Sequence, residues 1–406
     1  MRPLFCHNRM KMKYFLFVFV LVLGVLCGRS QQVSDTTIYF VNIYPGSEIY
    51  ELEGHSAIIV DIKGSMPMAY NFGVFDFNSP NFVYRFVKGE TDYMAVEWPA
   101  MSFLAPYADH GRRVMAHELN FTSEQKSRLL SLLKENVKPE NTVYRYNYVK
   151  DNCATRPLRA VELAAGDSIK LAAAPFEANS SIPLTFRNIM RHYHSNYPWY
   201  QFGIDIALGS GIDYQLERRE IAFAPAELDK MLANAEVGGK RLVSRSFAMI
   251  DFPEDNAIED ATPWYLTPLA VCWLFFALTL ALTVSDIRHR RVTRWFDAVY
   301  FAMLGLAGCL LTFLIFISVH EATSPNFVYL WLNPLCLLVP VLIFVKRAGI
   351  VLICYQIANF AVLLALLAIW YFLPQSANPA FLPLVAAEML RAASYIYITR
   401  KSSEKS

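Results

Sequence analysis

Hydrophobic and polar positions divide the chain into two unlike parts. Up to about residue 261, apolar and polar residues alternate over short stretches, which is the pattern of half-buried strands. Beyond that point come long apolar runs, at residues 266–284, 298–319, 329–345, 350–372 and 381–398. Most of these runs approach the roughly 20 residues that a bilayer-spanning helix needs. The pattern therefore predicts an all-α polytopic membrane domain of about five transmembrane helices at residues 263–398, followed by a cytoplasmic tail at 399–406.

The first thirty residues have the pattern of an export signal. Arg9, Lys11 and Lys13 form a basic start, a short apolar core follows, and small or polar residues such as Gly28 and Ser30 come next. Residues 1–30 are predicted to be either a cleaved signal peptide or an uncleaved N-terminal anchor, and the sequence leaves both open.

Basic residues between the apolar runs predict the orientation. They follow the first, third and fifth runs, as Arg288, Arg290, Arg291 and Arg294, then Lys346 and Arg347, then Arg400, Lys401 and Lys405. Such residues stay on the cytoplasmic side. Residues 31–262 and the loops at 318–327 and 374–379 should then lie outside, in agreement with the export signal.

The exported part is predicted to be one α+β domain at residues 31–262. TTIYFVNIYP, GHSAIIVDI and AYNFGVFDF read as strands, the last two as a hairpin, and DYMAVEW and GRRVMAHEL as further strands. Thr122 and Gln125 form a capping-box pattern for a helix that ends near Glu135. An antiparallel sheet packed on helices accounts for this order.

Cys153 is the candidate nucleophile. It is the only cysteine between the N-terminal apolar segment and the first membrane run, in YRYNYVKDNCATRPLRAVE. Tyr144, Tyr146 and Tyr148 alternate with polar residues before it, as in a strand, and Pro157 fits the first turn of a helix after it. A helix N-terminus favours a thiolate, although a lone cysteine is more often a small buried hydrophobe.

Composition narrows the function further. The chain is 55% hydrophobic with a net charge of +2 and a mean hydropathy of +0.28, which indicates membrane spans and no nucleic-acid partner. A single cysteine in the exported part excludes an internal disulfide there. The sequence contains no CxxC or Cys/His cluster, so no metal or cofactor is expected.

His55 is the candidate base among five histidines of the exported part. It heads an apolar strand, where a side chain at the sheet end can face a helix terminus; a satisfied edge histidine is the alternative. His192 and His194 lie in a polar segment and are predicted to be surface residues, while His110 and His117 remain undecided.

These residues carry a resemblance. A strand histidine followed about a hundred positions later by Asn152-Cys153 is similar to the circularly permuted papain-like superfamily, which contains NlpC-type hydrolases and lecithin:retinol acyltransferases. The chain resembles more closely the lipoprotein N-acyltransferases of the Lnb type. That likeness runs from about His55 to Pro334, in GHSAI, YNFGVFDF, YxYxxxxDNCATR, PWYQFGIDIALG and SVHEATSPNFVYLWLNP.

The resemblance implies a permuted papain-like, NlpC-like exported domain and a ping-pong acyl transfer. Cys153, activated by His55, would take a fatty acyl chain from a membrane phospholipid as a thioester. The acceptor would be the α-amine of the N-terminal cysteine of a diacylglyceryl lipoprotein. The protein would be a multi-pass protein of the bacterial inner membrane with its catalytic domain in the periplasm.

The resemblance also suggests supporting residues. A third residue should orient His55; Asn71 is preferred because its strand should lie beside that of His55, with Asp61 and Tyr70 as alternatives. Asn152 or the backbone N–H of Cys153 could stabilise the oxyanion. Substrate contacts are predicted for three further residues, namely Tyr146, Tyr148 and His320.

Two other functions fit parts of the pattern. An NlpC-type cell-wall cysteine peptidase or amidase would use the same Cys/His pair, but it would need at most one membrane anchor. A non-enzymatic membrane scaffold would tolerate loss of the Cys153 thiol.

Overall fold

The computed structural model describes residues 35–179 and 181–403. The predicted signal segment at 1–30 and the last three residues of the tail lie outside the described residues. The strands are β1 (Thr36–Ile43), β2 (His55–Ile62), β3 (Met68–Val74), β4 (Asp92–Pro99), β5 (Val114–Leu119), β6 (Val143–Arg145), β7 (Ile169–Lys170), β8 (Glu236–Val237), β9 (Lys240–Arg241) and β10 (Val243–Ile250).

The helices follow the strands closely in the first part of the chain and dominate the second. They are α1 (Phe82–Lys88), α2 (Ala100–Asp109), α3 (Ser123–Asn136), α4 (Thr155–Ala165), α5 (Pro175–Asn179), α6 (Phe186–Tyr193), α7 (Pro198–Ala207), α8 (Arg218–Ile221), α9 (Pro225–Ala233), α10 (Pro268–His289), α11 (Arg294–Phe316), α12 (Leu338–Leu342), α13 (Gly349–Ile369) and α14 (Phe381–Ser403). Short 3-10 helices connect several of them.

A seven-stranded sheet forms the centre of the first part, with strand order β10-β5-β1-β2-β3-β4-β6. Every pairing in it is antiparallel. Alternate residues of neighbouring strands, such as Val41, Ile59 and Ala69, enter one core beside Phe103 of α2. The predicted α+β architecture and the β2–β3 hairpin are confirmed, with Ala57 opposite Asn71.

The helix after β5 begins as its capping pattern predicted. The Thr122 hydroxyl accepts the Gln125 N–H at 3.3 Å, and Gln125 Oε1 accepts the Thr122 N–H at 3.0 Å. This reciprocal box fixes the start of α3, which packs on α4.

The chain forms two compact units, and the division is not linear. The first unit comprises the described residues of Met1–Phe75, Asp92–Ala178 and Arg218–Ile258. The second comprises Asp76–Thr91, Asn179–Glu217 and the described part of Glu259–Ser406. The sequence predicted a single domain boundary near residue 262, and this boundary stays a prediction. In the structure, two segments before it, Asp76–Thr91 and Asn179–Glu217, group with the apolar helices.

Buried ion pairs explain why the segment 179–217 belongs to the second unit. Arg187 is fully buried and binds Asp205 and Asp213, each at 2.8 Å. Asn378 also donates to Asp205 at 2.8 Å, and Arg191 donates to the carbonyl oxygen of Ser376. A buried charge such as that of Arg187 needs partners of opposite charge. The contacts of Asn378 and Ser376 then attach the segment to the rest of the second unit.

Four helices of the second unit are long and apolar enough to cross a membrane. They are Pro268–His289, Arg294–Phe316, Lys346–Phe372 and Phe381–Lys401. The remaining predicted run, at 329–345, forms a shorter apolar stretch, Phe327–Leu342, in 3-10 and α-helical turns. Pro334 and Pro340 interrupt it because proline cannot donate a backbone hydrogen bond. The count of five spans stays a prediction.

The last span contains two charges, and both have partners inside the unit. Glu388 accepts a hydrogen bond from Asn359 at 2.9 Å. Arg391, 1% exposed, donates to Asp297, to Asp286 at 2.9 Å and to a threonine hydroxyl. These contacts allow a helix of modest hydropathy to lie among apolar ones.

Candidate functional site

The turn before α4 is built around Asn152. Its Oδ1 accepts the N–H groups of Ala154 and Thr155 at 2.9 and 3.0 Å. Its Nδ2 donates to the carbonyl oxygens of Tyr148 and Phe223, both at 2.8 Å. The side chain therefore caps the helix start and ties it to a distant segment, which fixes the position of the intervening cysteine.

The same contacts correct the oxyanion prediction for Asn152. An amide nitrogen has two N–H groups, and both are used in the turn. Asn152 is therefore a structural residue with no donor left for a substrate. The other predicted donor, the N–H of Cys153, lies 3.5 Å from the hydroxyl oxygen of Tyr146.

His55 is the first residue of β2, and its ring bonds to Asn71 on the next strand. The distance from Nε2 to Asn71 Oδ1 is 2.6 Å. A carbonyl oxygen only accepts, so Nε2 carries the proton in the neutral ring and Nδ1 keeps a free lone pair. Of the alternatives for this orienting contact, Tyr70 donates to Glu97 and Asp61 lies towards the far end of β2.

Cys153 lies against the strands that carry His55 and Asn71. The backbone of Ser56, the residue after His55, is close enough to the sulfur to lower the pKa of the Cys153 thiol. A Cβ on Gly73, two residues after Asn71, would lie 3.5 Å from the Cys153 Cβ. Gly73 also has a φ of +89°, a conformation that favours glycine. The sheet end therefore brings the thiol, the histidine strand and the orienting amide together.

Tyr146 completes the surroundings of the sulfur. Its hydroxyl oxygen lies 3.5 Å from the backbone nitrogen of Cys153, and the hydroxyl lowers the pKa of the Cys153 thiol. Its ring stacks on Tyr93 with centroids 4.3 Å apart, which fixes the hydroxyl in place. The predicted strand through Tyr148 ends at Arg145, where the chain turns, and this turn aims Tyr146 towards Cys153.

Burial controls the charge of the two reactive groups. It raises the pKa of the Cys153 thiol to about 11, against the opposing effects of Tyr146 and the Ser56 N–H. Burial also lowers the pKa of His55 to about 4, although the bond to Asn71 favours the charged ring. Both groups are therefore neutral near pH 7. The helix terminus was expected to favour a thiolate, but burial has the largest effect on the pKa of Cys153 and raises it.

Arg112 adds to the low basicity of His55. This guanidinium is 2% exposed, donates twice to the carbonyl oxygen of Tyr44 and pairs with Glu51. Its positive charge is a smaller cause of the lowered His55 pKa, after burial. Arg112 therefore acts with burial to keep the His55 ring uncharged.

The remaining predicted residues lie elsewhere. Tyr148 donates to Glu53, a carboxylate whose charge contributes to the raised pKa of Cys153. His320 belongs to the second unit, where Nε2 lies 2.9 Å from the carbonyl oxygen of Phe86. His194, predicted at the surface, is 1% exposed and bonds to Gln201, so that prediction is wrong.

Sequence reasoning selected His55, Asn71 and Cys153, and the structure shows the expected contact between His55 and Asn71, but the position of Tyr146 beside Cys153 was missed. The available signal was the run of alternating tyrosines directly before the cysteine. Placing the hydroxyl beside Cys153 required the turn after β6, which no periodicity indicates.

Comparison with known protein families is consistent with this arrangement. The family model described as the Lnb N-terminal periplasmic domain matches residues 28–192, and that described as the Lnb transmembrane domain matches residues 260–403. A search of curated proteins and of solved structures finds no match. The two family matches together cover about three quarters of the chain, in the order of its sheet-containing and helical parts. The protein is therefore a multi-pass membrane protein of the Lnb family of lipoprotein N-acyltransferases.

Proposed function

We propose that Cys153 carries the acyl chain as a thioester, with His55 as general base and Asn71 as the residue that orients it. The donor is a membrane phospholipid, and the acceptor is the α-amine of the N-terminal cysteine of a diacylglyceryl lipoprotein. The single observation that carries this assignment is the cluster of Cys153, Ser56, His55 and Asn71 at one sheet end, with Nδ1 of His55 left as an acceptor.

In the first half-reaction, the thiol proton moves to His55 Nδ1 as the sulfur attacks an ester carbonyl of the phospholipid. A carbon–sulfur bond forms and the ester carbon–oxygen bond breaks. The leaving lysophospholipid alkoxide takes the proton back from His55. The Asn71 contact holds the ring in the tautomer that this transfer requires.

Tyr146 supplies the hydroxyl that stabilises developing negative charge. It lowers the pKa of Cys153 and so favours the thiolate as the proton leaves. A donor placed in advance at such a point needs no reorganisation during the reaction. The oxyanion of the ester carbonyl is a separate charge, and the backbone N–H of Cys153, the other donor predicted for it, takes the place of Asn152 there.

In the second half-reaction, the lipoprotein amine attacks the thioester carbon. A carbon–nitrogen bond forms, the carbon–sulfur bond breaks, and His55 passes the amine proton to the sulfur. Water would compete with the amine, and the burial of Cys153, 8% exposed, limits its access.

The test uses the full-length protein in proteoliposomes with a phospholipid donor. Intact mass spectrometry should detect one acyl group on Cys153, and addition of a diacylated lipopeptide should remove it and yield the triacylated product. Cys153→Ala should give neither species, and Cys272→Ala, a buried cysteine of a span, should give both. Normal triacylation by Cys153→Ala would overturn the proposal.

The same preparation separates the transferase from a cell-wall peptidase. Both would use the Cys/His pair, but only a peptidase or amidase releases fragments from peptidoglycan. Release of muropeptides without acylation of the lipopeptide would indicate that the protein is a cell-wall peptidase or amidase.

A further inference from the structure

The segment Asp76–Thr91 exposes several large apolar side chains close together in sequence. It contains α1, and none of that helix's seven described residues is buried. Val83 is 72% exposed, Tyr84 54% and Phe86 47%. We call these three residues the α1 apolar surface. Contiguous exposed apolar groups of this kind mark contact with a membrane or a partner.

The segment is fixed to the end of the second span. The N–H of Val319 donates to the carbonyl oxygen of Lys88 at 2.9 Å, and the Ser318 hydroxyl donates to that of Val87 at 3.0 Å. The ring of Tyr84 meets that of Phe313 edge-on, with centroids 6.0 Å apart. These contacts attach α1 where α11 leaves the apolar layer.

That end of α11 lies on the periplasmic side. The N-terminal domain is periplasmic, so the first span runs inward and α11 runs outward. Exposed apolar residues occur at the outer ends of the spans: Trp264, Tyr265, Phe316, Ile317, Tyr371 and Phe372. Aromatic residues concentrate at this depth of a bilayer, between acyl chains and headgroups. The α1 apolar surface continues this belt.

Charge supports the same depth. Arg85 and Lys88 lie in the same short helix; Arg85 donates to the carbonyl oxygen of Glu90 and Lys88 pairs with its carboxylate, both at 2.8 Å, and Lys88 also lies over the ring of Tyr84. Apolar and aromatic side chains interspersed with cations suit an interface, where the rings enter the acyl region and the cations meet phosphate.

We propose that the α1 apolar surface is embedded in the periplasmic leaflet of the bilayer, with phospholipid acyl chains as its partner. The segment runs at one end into β3, which carries Asn71, and at the other into β4, which carries Tyr93. Embedding it therefore anchors two strands of the catalytic sheet to the lipid that supplies the donor. The expected effect on activity rests on the function proposed above.

The first test locates the surface directly. The photoreactive residue p-benzoylphenylalanine replaces Val83 in the full-length protein, reconstituted in phosphatidylethanolamine and phosphatidylglycerol vesicles. Irradiation should give adducts of phospholipid mass at this position. The matched control carries the same group at Lys134, an exposed position of α3 in the periplasmic domain. Adducts at Val83 no more frequent than at Lys134 would overturn the proposal.

The second test measures donor use. The variant Val83→Ser, Tyr84→Ser, Phe86→Ser should form acyl-Cys153 from vesicle phospholipid at least tenfold more slowly than the wild type. Its acylation by a water-soluble short-chain thioester should be unchanged. Met101→Ser, which removes an equally exposed apolar side chain from α2, should leave both rates unchanged.

The outcomes separate the two proposals. An unchanged vesicle rate in the triple variant, or an equal fall with both donors, would overturn the role of the α1 apolar surface. If wild-type Cys153 takes an acyl group from neither donor, the catalytic proposal fails, while photo-adducts at Val83 would still support the membrane contact.

Discussion

The candidate site around Cys153 and the Arg391 cluster among the membrane helices both bury titratable groups, but they differ in how charge is accommodated. At the site, burial holds Cys153 and His55 in their neutral forms. Within the spans, Arg391 is enclosed with the carboxylates of Asp286 and Asp297 and is fully provided with partners. Isolated ions are costly to bury, so a protein either neutralises them or pairs them.

The difference teaches what each kind of burial is suited for. A neutral thiol and a neutral imidazole can exchange a proton when a substrate arrives, since no existing ion pair must first be broken. The Arg391 cluster has no comparable freedom, because each guanidinium contact stabilises one arrangement of three helices. The first arrangement preserves reactivity and the second preserves architecture.

The largest expected effect on the acylation rate comes from removing the proposed base, His55. His55→Ala should slow acylation of Cys153 about a thousandfold, the usual contribution of a positioned general base. The time course of the acyl-enzyme mass measures this rate. His110→Ala, which alters an exposed histidine whose ring bonds to the carbonyl oxygen of Pro106, should act like the wild type. A loss of less than tenfold for His55→Ala would refute the general-base role.

Disrupting the ionic cluster of Arg391, Asp286 and Asp297 should lower stability and leave the acylation rate nearly unchanged. Arg391→Met leaves two buried carboxylates without their cation and should destabilise the protein by about 3–5 kcal/mol. Thermal unfolding in detergent measures the loss. The double variant with Asp297→Asn should recover part of it, because one uncompensated charge is removed. Acylation per folded molecule should stay near the wild-type rate; a specific catalytic loss would contradict a purely architectural role.

A substitution of Tyr146 should affect the acylation rate without a matching loss of stability. Tyr146→Phe should slow acylation about a hundredfold, the scale seen when one donor to a developing anion is lost. Its melting temperature should change little, since the ring and its stacking on Tyr93 remain. Tyr144→Phe removes a hydroxyl from the neighbouring ring and should retain most of the rate. Equal rates for the two variants would argue against a special role for Tyr146.

The smallest expected effect concerns the protonation state of Cys153 in the absence of substrate. With the pKa of Cys153 at about 11, alkylation by iodoacetamide should rise about tenfold per pH unit from pH 7 to 10, because only the thiolate reacts. Peptide mass spectrometry reports the modification at this cysteine. Tyr146→Phe should lower the rate at each pH, since it removes a group that stabilises the thiolate. A plateau already reached at pH 7 would indicate a preformed thiolate–imidazolium pair.

The sequence predicted the parts of the site that depend on local pattern. Alternation identified β2 and β3 as neighbours, and neighbouring strands place His55 and Asn71 at matching ends. The capping box of α3 was readable because its two residues are three positions apart. Periodicity and capping are local properties, so a single chain displays them.

What escaped prediction depends on contacts between distant residues. Asn152 was predicted to stabilise the oxyanion, but one of its side-chain N–H groups donates to the carbonyl oxygen of Phe223. The spacing of residues along the chain does not reveal this partner. The raised pKa of Cys153 reflects burial, opposed by Tyr146 and the backbone of Ser56, and these contacts exist only in the packed structure. The grouping of Asp76–Thr91 with the membrane helices likewise rests on its contacts with Ser318 and Val319.

The un-ionised state of Cys153 also determines how the enzyme endures its compartment. Hydrogen peroxide and disulfides react with thiolates, and at neutral pH only about one Cys153 in ten thousand is ionised at a pKa of about 11. The sulfur should therefore persist unoxidised in the oxidising periplasm without a dedicated reductant. Small electrophilic drugs would meet the same barrier, so a covalent inhibitor would need a lipid-like body that brings its reactive carbon to the sulfur as a substrate does.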